Sequence, residues 1–465
     1  MRTVRICVIL GVLLAFHRQA EAQIFTLRDF LLSIELYHPI AKQAALLNDQ
    51  ADATLRMARG AFDPYVESEI AQKEYADKLY YRQWNTNLYL PVWGGIDAYL
   101  GHMQNSGDFL DPSQTLPDDG LIKAGVKMDV LSGFWNNRRQ IDIAQGKLLQ
   151  NANANEQIIR MNDLFHDAVQ DYIAWSRSYA VMELQRTFIE AASIRYTNTV
   201  MLYQQGDIPA IDTLEAYMQL QDRTGTFNEA FVYYVYALNQ VNAYVWDKND
   251  NPLRLNESQT PEPLDSLYWL SQLPVNVNWA NHPKLLSYQF KNGSLELDRK
   301  MKQQYLLPEL SVQYNVLNPP SNTILDELET SNYQFGVWFT YPLFLRQERA
   351  ALQMVGLKLQ EVRFDQANTL NALQIRANTL ELELQTWDAQ RTLYRSLRDN
   401  SAVLLNAEET KFSMGESSLF LVNSRELSFL NNGMKSISAD AKYLSTAMKQ
   451  MYTLGRVYDQ LRATR

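Results

Sequence analysis

Leu310-Ser311-Val312-Gln313-Tyr314-Asn315-Val316, and later Gln334-Phe335-Gly336-Val337-Trp338-Phe339-Thr340-Tyr341, set the terms for the whole chain. Leu310, Val312, Tyr314 and Val316 alternate with polar residues, and Phe335, Val337, Phe339 and Tyr341 alternate with Gln334, Gly336, Trp338 and Thr340. A period of two predicts strands with one apolar face and one wet face. Such a pair fits a lipid-facing sheet or an ordinary soluble sheet wet on one side, and alternation alone leaves both open.

The same pattern recurs earlier, where Ala124, Val126, Met128 and Val130 alternate with Lys123, Gly125, Lys127 and Asp129, and more weakly from Tyr65 to Lys73. This repetition is part of a duplication. His38-Pro39 answers His282-Pro283 and Pro64 answers Pro308, both at an offset of 244. Gly125-Val126 answers Gly336-Val337, and Arg138 answers Arg349, at 211; Gly206 answers Gly415 at 209. The falling offset marks an insertion of about 33 residues in the first copy, between about Tyr80 and Gly120. There Leu88, Leu90 and Val92 alternate before Gly94-Gly95, Gly101, Gly107, Pro112 and Pro117 interrupt the chain, which predicts an outer hairpin or long loop. The expected organisation is a first repeat over 23–247, a proline-bearing connector over 248–280 and a second repeat over 281–465.

After each strand pair the period changes. Ile158, Met161, Phe165, Ala168, Tyr172, Trp175, Tyr179 and Met182 fall in 3,4 alternation, as do Leu370, Leu373, Ala377, Leu380, Leu384 and Trp387. These are heptad seams. From about Asn137 to Gln204 there is no proline and one glycine, so at 1.5 Å per residue the helix runs roughly 100 Å. The other faces carry small polar residues, as in Asn151-Ala152-Asn153-Ala154-Asn155.

Arg2 and Arg5 before the apolar run Ile6–Phe16, with Ala20-Glu21-Ala22 following, read as a signal peptide over residues 1–22. The only cysteine, Cys7, lies inside it, too early to be the acylated residue of a lipoprotein, so neither a disulfide framework nor a lipid anchor is expected. The formal charge is −9, and −11 once Arg2, Arg5, Arg18 and Glu21 are removed, the wrong sign for a nucleic-acid partner. Mean hydropathy is −0.32. With no further long apolar stretch, any membrane crossing falls to strands.

Several fragments resemble the TolC-like outer-membrane efflux proteins, over essentially the whole chain after residue 22. Thr26-Leu27-Arg28-Asp29-Phe30 leading to His38-Pro39 is similar to that family's N-terminal opening, and Tyr341-Pro342-Leu343-Phe344 with Arg349-Ala350 to its strand exit. Gly206-Asp207-Ile208-Pro209-Ala210-Ile211-Asp212 and Gly415-Glu416-Ser417-Ser418-Leu419-Phe420-Leu421-Val422 resemble its helix-tip turns. The resemblance implies a mixed α/β membrane protein: a homotrimer giving four strands per protomer to one twelve-stranded transmembrane β-barrel, continued by an antiparallel α-helical coiled-coil barrel in the periplasm. It implies an outer-membrane export duct, a passive conduit for substrates delivered by an inner-membrane transporter through a periplasmic adaptor. The alternative from another class is a periplasmic coiled-coil tether without a pore.

On that reading Gly206, Asp212, Gly415, Phe420, Leu421 and Ser424 form the periplasmic tip and gate. Well-known members carry aspartates six and nine residues after the second tip glycine; here those positions are Leu421 and Ser424, so the aperture is expected to be apolar rather than a carboxylate ring. No cofactor is expected. His38 and His282 read as residues preceding helix-starting prolines rather than a metal pair. Asp108, Asp111, Asp118 and Asp119 lack the spacing of a calcium loop. No nucleophile–base set, phosphate loop or H-E-x-x-H motif is present, so no enzyme is expected.

Overall fold

The computed structural model describes residues 23–131, 137–256, 258–273, 277–320 and 331–463; the expected signal peptide lies outside them. A short strand β1 (Gln23–Phe25) leads into helices α1 (Leu27–Tyr37) and α2 (Pro39–Gly60). Four strands follow: β2 (Tyr65–Tyr75), β3 (Lys78–Val92), β4 (Ile96–Ser106) and β5 (Leu121–Asp129). Then come α3 (Arg138–Gln205), α4 (Ala210–Asn242) and the short strand β6 (Gln259–Pro261). The second half runs α5 (Pro283–Gln304), β7 (Glu309–Asn318), β8 (Tyr333–Thr340), α6 (Arg346–Ser413), α7 (Leu419–Thr453) and α8 (Val457–Ala463). Element order runs twice, with helix lengths that match: 22 residues in both α2 and α5, 68 in both α3 and α6, 33 and 35 in α4 and α7.

The chain divides into two compact units, each drawing on both halves of the sequence. One comprises residues 46–156 and 285–368 and contains a single antiparallel sheet of order β2-β3-β4-β5-β7-β8. The mixed α/β class stands, but the expectation of four strands per chain is corrected to six. The insertion supplies the difference: β3 pairs with β2 from Tyr65↔Tyr89 to Tyr75↔Lys78, and with β4 from Arg82↔Ser106 to Val92↔Ile96. Ala76 and Asp77, both at positive φ, make the two-residue turn between β2 and β3 that matches strand twist.

The other unit comprises, among the described residues, those of 23–45, 157–284 and 369–463, and holds the main apolar core. The predicted seam of α3 is that core's spine, with Met161, Phe165, Ala168, Tyr172, Trp175 and Met182 buried. Around it pack α1 (Leu27, Phe30, Leu31, Ile34), α4, α7 and α8. Tyr172 Oη donates to the Phe25 carbonyl at 2.6 Å and accepts from the Glu262 N–H at 3.0 Å, fastening the parallel β1–β6 pair onto the helices. The connector is not loose chain. A 3-10 helix over Leu264–Gln272 buries Leu264, Leu267 and Leu270 in the core, and Tyr268 Oη donates to Asp440 at 2.7 Å. Among the described residues no helix is long and apolar enough to cross a membrane.

Candidate functional site

Over the central rows, the sheet's register sorts its side chains by face. One face carries unbroken apolar rows across five strands: Leu88–Leu100–Ala124–Val316–Tyr333, Leu90–Ala98–Val126–Tyr314–Phe335 and Val92–Ile96–Met128–Val312–Val337. Leu310–Phe339 adds a fourth row on the last two strands, so the band spans about 20 Å along β7 at 3.4 Å per residue. These side chains are largely uncovered; Phe339 is 65% exposed and Val337 51%. A contiguous apolar surface of that extent marks contact with lipid or protein.

The opposite face is polar and tightly knit. Tyr99 Oη donates to Asn315 Oδ1 and accepts from Gln313 Nε2, and Asn315 Nδ2 donates to Gln334 Oε1 at 3.1 Å. Asn315 is fully buried against Gly125, where a Cβ would meet its Oδ1 at 2.1 Å and the Tyr314 carbonyl at 2.4 Å. Gly125 is therefore glycine because a polar side chain from β7 lies across it. Gly336, its counterpart in the second copy, is covered by the Trp338 ring, 2.5 Å from where a Cβ would stand. That places Trp338, the one large aromatic out of phase in the sequence alternation, on the polar face.

The predicted tip glycines end α3 and α6. Gly206 (φ 84°) and Gly415 (φ 77°) are left-handed, and each closes the same double hydrogen bond: Gly206 N–H to Tyr203 O at 3.0 Å with Asp207 N–H to Leu202 O at 3.0 Å, and Gly415 N–H to Phe412 O at 3.0 Å with Glu416 N–H to Lys411 O at 2.9 Å. Both satisfy the last orphan carbonyls of a helix. A Cβ at either would meet nothing within 4 Å, so the backbone conformation alone requires glycine. The first turn of α7 starts at Ser418, whose Oγ accepts from the Leu421 N–H. Phe420 and Leu421 are exposed on that turn and Ser424 on the next. Asp212 sits in the first turn of α4, where its charge suits the positive helix end; among the described residues no hydrogen bond or ion pair joins its carboxylate to another helix.

Sequence reading missed a buried ionic cluster behind these tips. Glu426 of α7 is 1% exposed and is gripped by Arg195 of α3 (Nη1–Oε2 2.7 Å) and Arg223 of α4 (Nε–Oε1 3.2 Å). Glu409 of α6 lies 3.8 Å from Arg195, and Asn423 donates to Glu215 at 3.3 Å. All four long helices are thus tied together behind the tips. The available signal was Glu426 standing in the buried stripe Leu419, Val422, Glu426, Leu430, Gly433.

His38 and His282 are helix caps. Each Nδ1 accepts, at 3.2 Å, the N–H two residues on, from Ile40 and from Lys284, while His282 Nε2–H donates to the Thr453 carbonyl at 3.1 Å. Accepting at Nδ1 requires neutral imidazole, and burial holds both histidines below their ordinary pKa. In the outer loop Asp111 accepts from the Ser113 N–H at 2.9 Å and Oγ at 2.6 Å, capping a short 3-10 turn.

Two helices leave apolar stripes uncovered. On α6, Leu357, Phe364, Ile375, Leu382, Leu393 and Leu404 are all more than half exposed. Within one compact unit, Ile375, Leu382, Leu393 and Leu404 follow spacings of 7, 11 and 11 that keep them within about 20° of one line at 100° per residue, over roughly 45 Å. On α4, Leu214, Met218, Val232 and Tyr236 form a second stripe, with Gly225 open at its centre.

No family model and no curated protein matches the chain. Solved structures do. The Campylobacter jejuni CmeC outer-membrane channel matches at TM-score 0.63 and 13% identity, covering 92% of this chain and 85% of that one. The outer-membrane protein VceC of Vibrio cholerae matches at 0.64 and 12%, covering 92% and 95%. The open state of the Neisseria gonorrhoeae MtrE outer-membrane channel matches at 0.65 and 10%, covering 93% and 89%. This chain has the fold of those channels, the TolC-like fold expected from its motifs.

Proposed function

We propose that three copies of the chain form an export duct in the bacterial outer membrane: a β-barrel in lipid, continued by helices in the periplasm, passive, and supplied by an inner-membrane transporter through a periplasmic adaptor. One observation carries this reading. Apolar rows run across five strands on one face of a sheet whose other face is polar and whose edges, β2 and β8, are unpaired among the described residues. An open edge is untenable in lipid, where every backbone N–H and C=O needs a partner, so copies must supply each other's edges. The uncovered stripes of α4 and α6 support the same association, since both meet partners only in an assembly. The fold shared with CmeC, VceC and MtrE supports the placement in the outer membrane. Gly206, Asp212, Gly415, Phe420, Leu421 and Ser424 are assigned to the periplasmic tip, with Phe420 and Leu421 narrowing it.

The test is extraction and mass. The protein should leave the outer-membrane fraction only with detergent and should weigh three chains, plus bound detergent, in native mass measurement. A monomer freely soluble in buffer would end this reading.

A further inference from the structure

Resting on that trimeric reading, we infer that the barrel closes with eighteen strands, because each chain offers six and not four, and that a second copy of this chain pairs β8 with β2 to close it. The hairpin β3–β4 is part of the wall rather than a loop above it. β4 pairs with β3 over its whole length, from Arg82↔Ser106 to Val92↔Ile96, and the two carry the apolar rows without a break from Leu88 and Leu100 into β5 and β7. Its turn also reaches the end of the sheet where the helices begin. Asp97, just beyond that turn, accepts from Arg139 of α3 at 2.7 Å, and the Trp93 ring stacks on Phe62, just past the end of α2, at 5.7 Å. A hairpin confined to the outer loops would not span from the Ala76-Asp77 turn to the first residues of α3.

Strand direction permits the closure. The chain enters β2 from α2, moving away from the helices, and leaves β8 toward α6, moving back to them. The two free edges therefore run in opposite senses, and joining β8 of one copy to β2 of the next continues the all-antiparallel order of the sheet. An even number of strands per chain is what allows this around a ring. Barrel diameter grows about linearly with strand number, so eighteen strands give a bore about 1.5 times that of twelve.

The test places labels on the hairpin. With Cys7 replaced by serine, Leu90→Cys, Leu100→Cys and Asn85→Cys are labelled with a small fluorophore, and the full-length trimer is reconstituted in phosphatidylcholine vesicles. At Leu90 and Leu100, on the apolar face of β3 and β4, a nitroxide carried on the lipid tails should quench several-fold more than aqueous iodide; at Asn85, on the polar face, iodide should win. Iodide winning at all three sites in a preparation that weighs three chains would overturn the eighteen-strand wall and leave the trimeric duct intact. A preparation weighing one or two chains would overturn both.

Discussion

His38 and His282 show how little chemistry separates a helix cap from a pH-sensitive joint. Their folded-state pKa lies below the ordinary histidine value, so below about pH 6.5 the unfolded chain binds protons that the native one refuses. The stability they contribute is complete above that pH and is lost as pH falls toward the depressed native value. His38→Asn with His282→Asn keeps a cap that does not titrate. Thermal unfolding of the detergent-solubilised protein should then show the variant losing less stability than the parent between pH 7.5 and pH 5; parallel profiles would rule the caps out. Glu426 makes a sharper case. Glu426→Gln leaves Arg223, 5% exposed, with only the solvent-exposed Asp222 carboxylate at 3.4 Å as counter-charge and should cost about 3 kcal/mol per chain in chemical unfolding, since removing the buried partner of a buried pair strands the other. Gly415→Ala should cost only about 1–2 kcal/mol, the penalty of a left-handed non-glycine residue, because its Cβ meets nothing. At the tip, Leu421→Ser with Phe420→Ala should raise single-channel conductance if these side chains narrow the aperture, and leave it unchanged if the tip is only a hairpin turn.

Among the elements, the stripe on α6 makes its own prediction. Ile375→Glu with Leu382→Glu places charge where about 1.5–3 kcal/mol of burial per side chain is expected in the assembly. The trimer should dissociate at lower detergent-resistant temperature, while helix content of the chain, read by circular dichroism, stays the same; unchanged assembly would mean that the stripe meets no copy. How far such elements could be read from sequence depended on contrast. The bounds of the first long helix, expected from about Asn137 to Gln204, were legible to within a residue, because its seam holds to one period over many turns, and Met161, Phe165, Ala168, Tyr172, Trp175 and Met182 are buried as that period requires. The strands β2, β5, β7 and β8 were legible for the same reason. β4 was not, because Tyr99 and Gly101 on its polar face blur the alternation and Gly94-Gly95 looks like a break rather than a turn. The α6 stripe escaped too. Its 7 and 11 spacing lies beside the chosen seam, of which only Leu380 is fully buried and the rest half-covered. The Arg195–Arg223–Glu426 cluster depends on three helices meeting, which no local pattern states.

For the whole molecule, two faces and two edges decide the behaviour. A sheet that is apolar on one side and open at both ends is unstable alone in water and unstable alone in lipid, and it becomes stable in lipid once copies join into a closed wall. Closure leaves the network around Tyr99, Asn315 and Gln313 facing a hydrated interior, and the small polar faces of the helices suit the same water. On the proposed reading of a passive duct, substrate choice falls to the inner-membrane transporter, because such a lining offers few specific contacts. The measurement that bears most directly on this account is single-channel recording of the purified trimer in a planar bilayer. Discrete, long-lived conductance steps are predicted, whereas correctly folded trimers that insert and pass no current would contradict a duct and leave a tether.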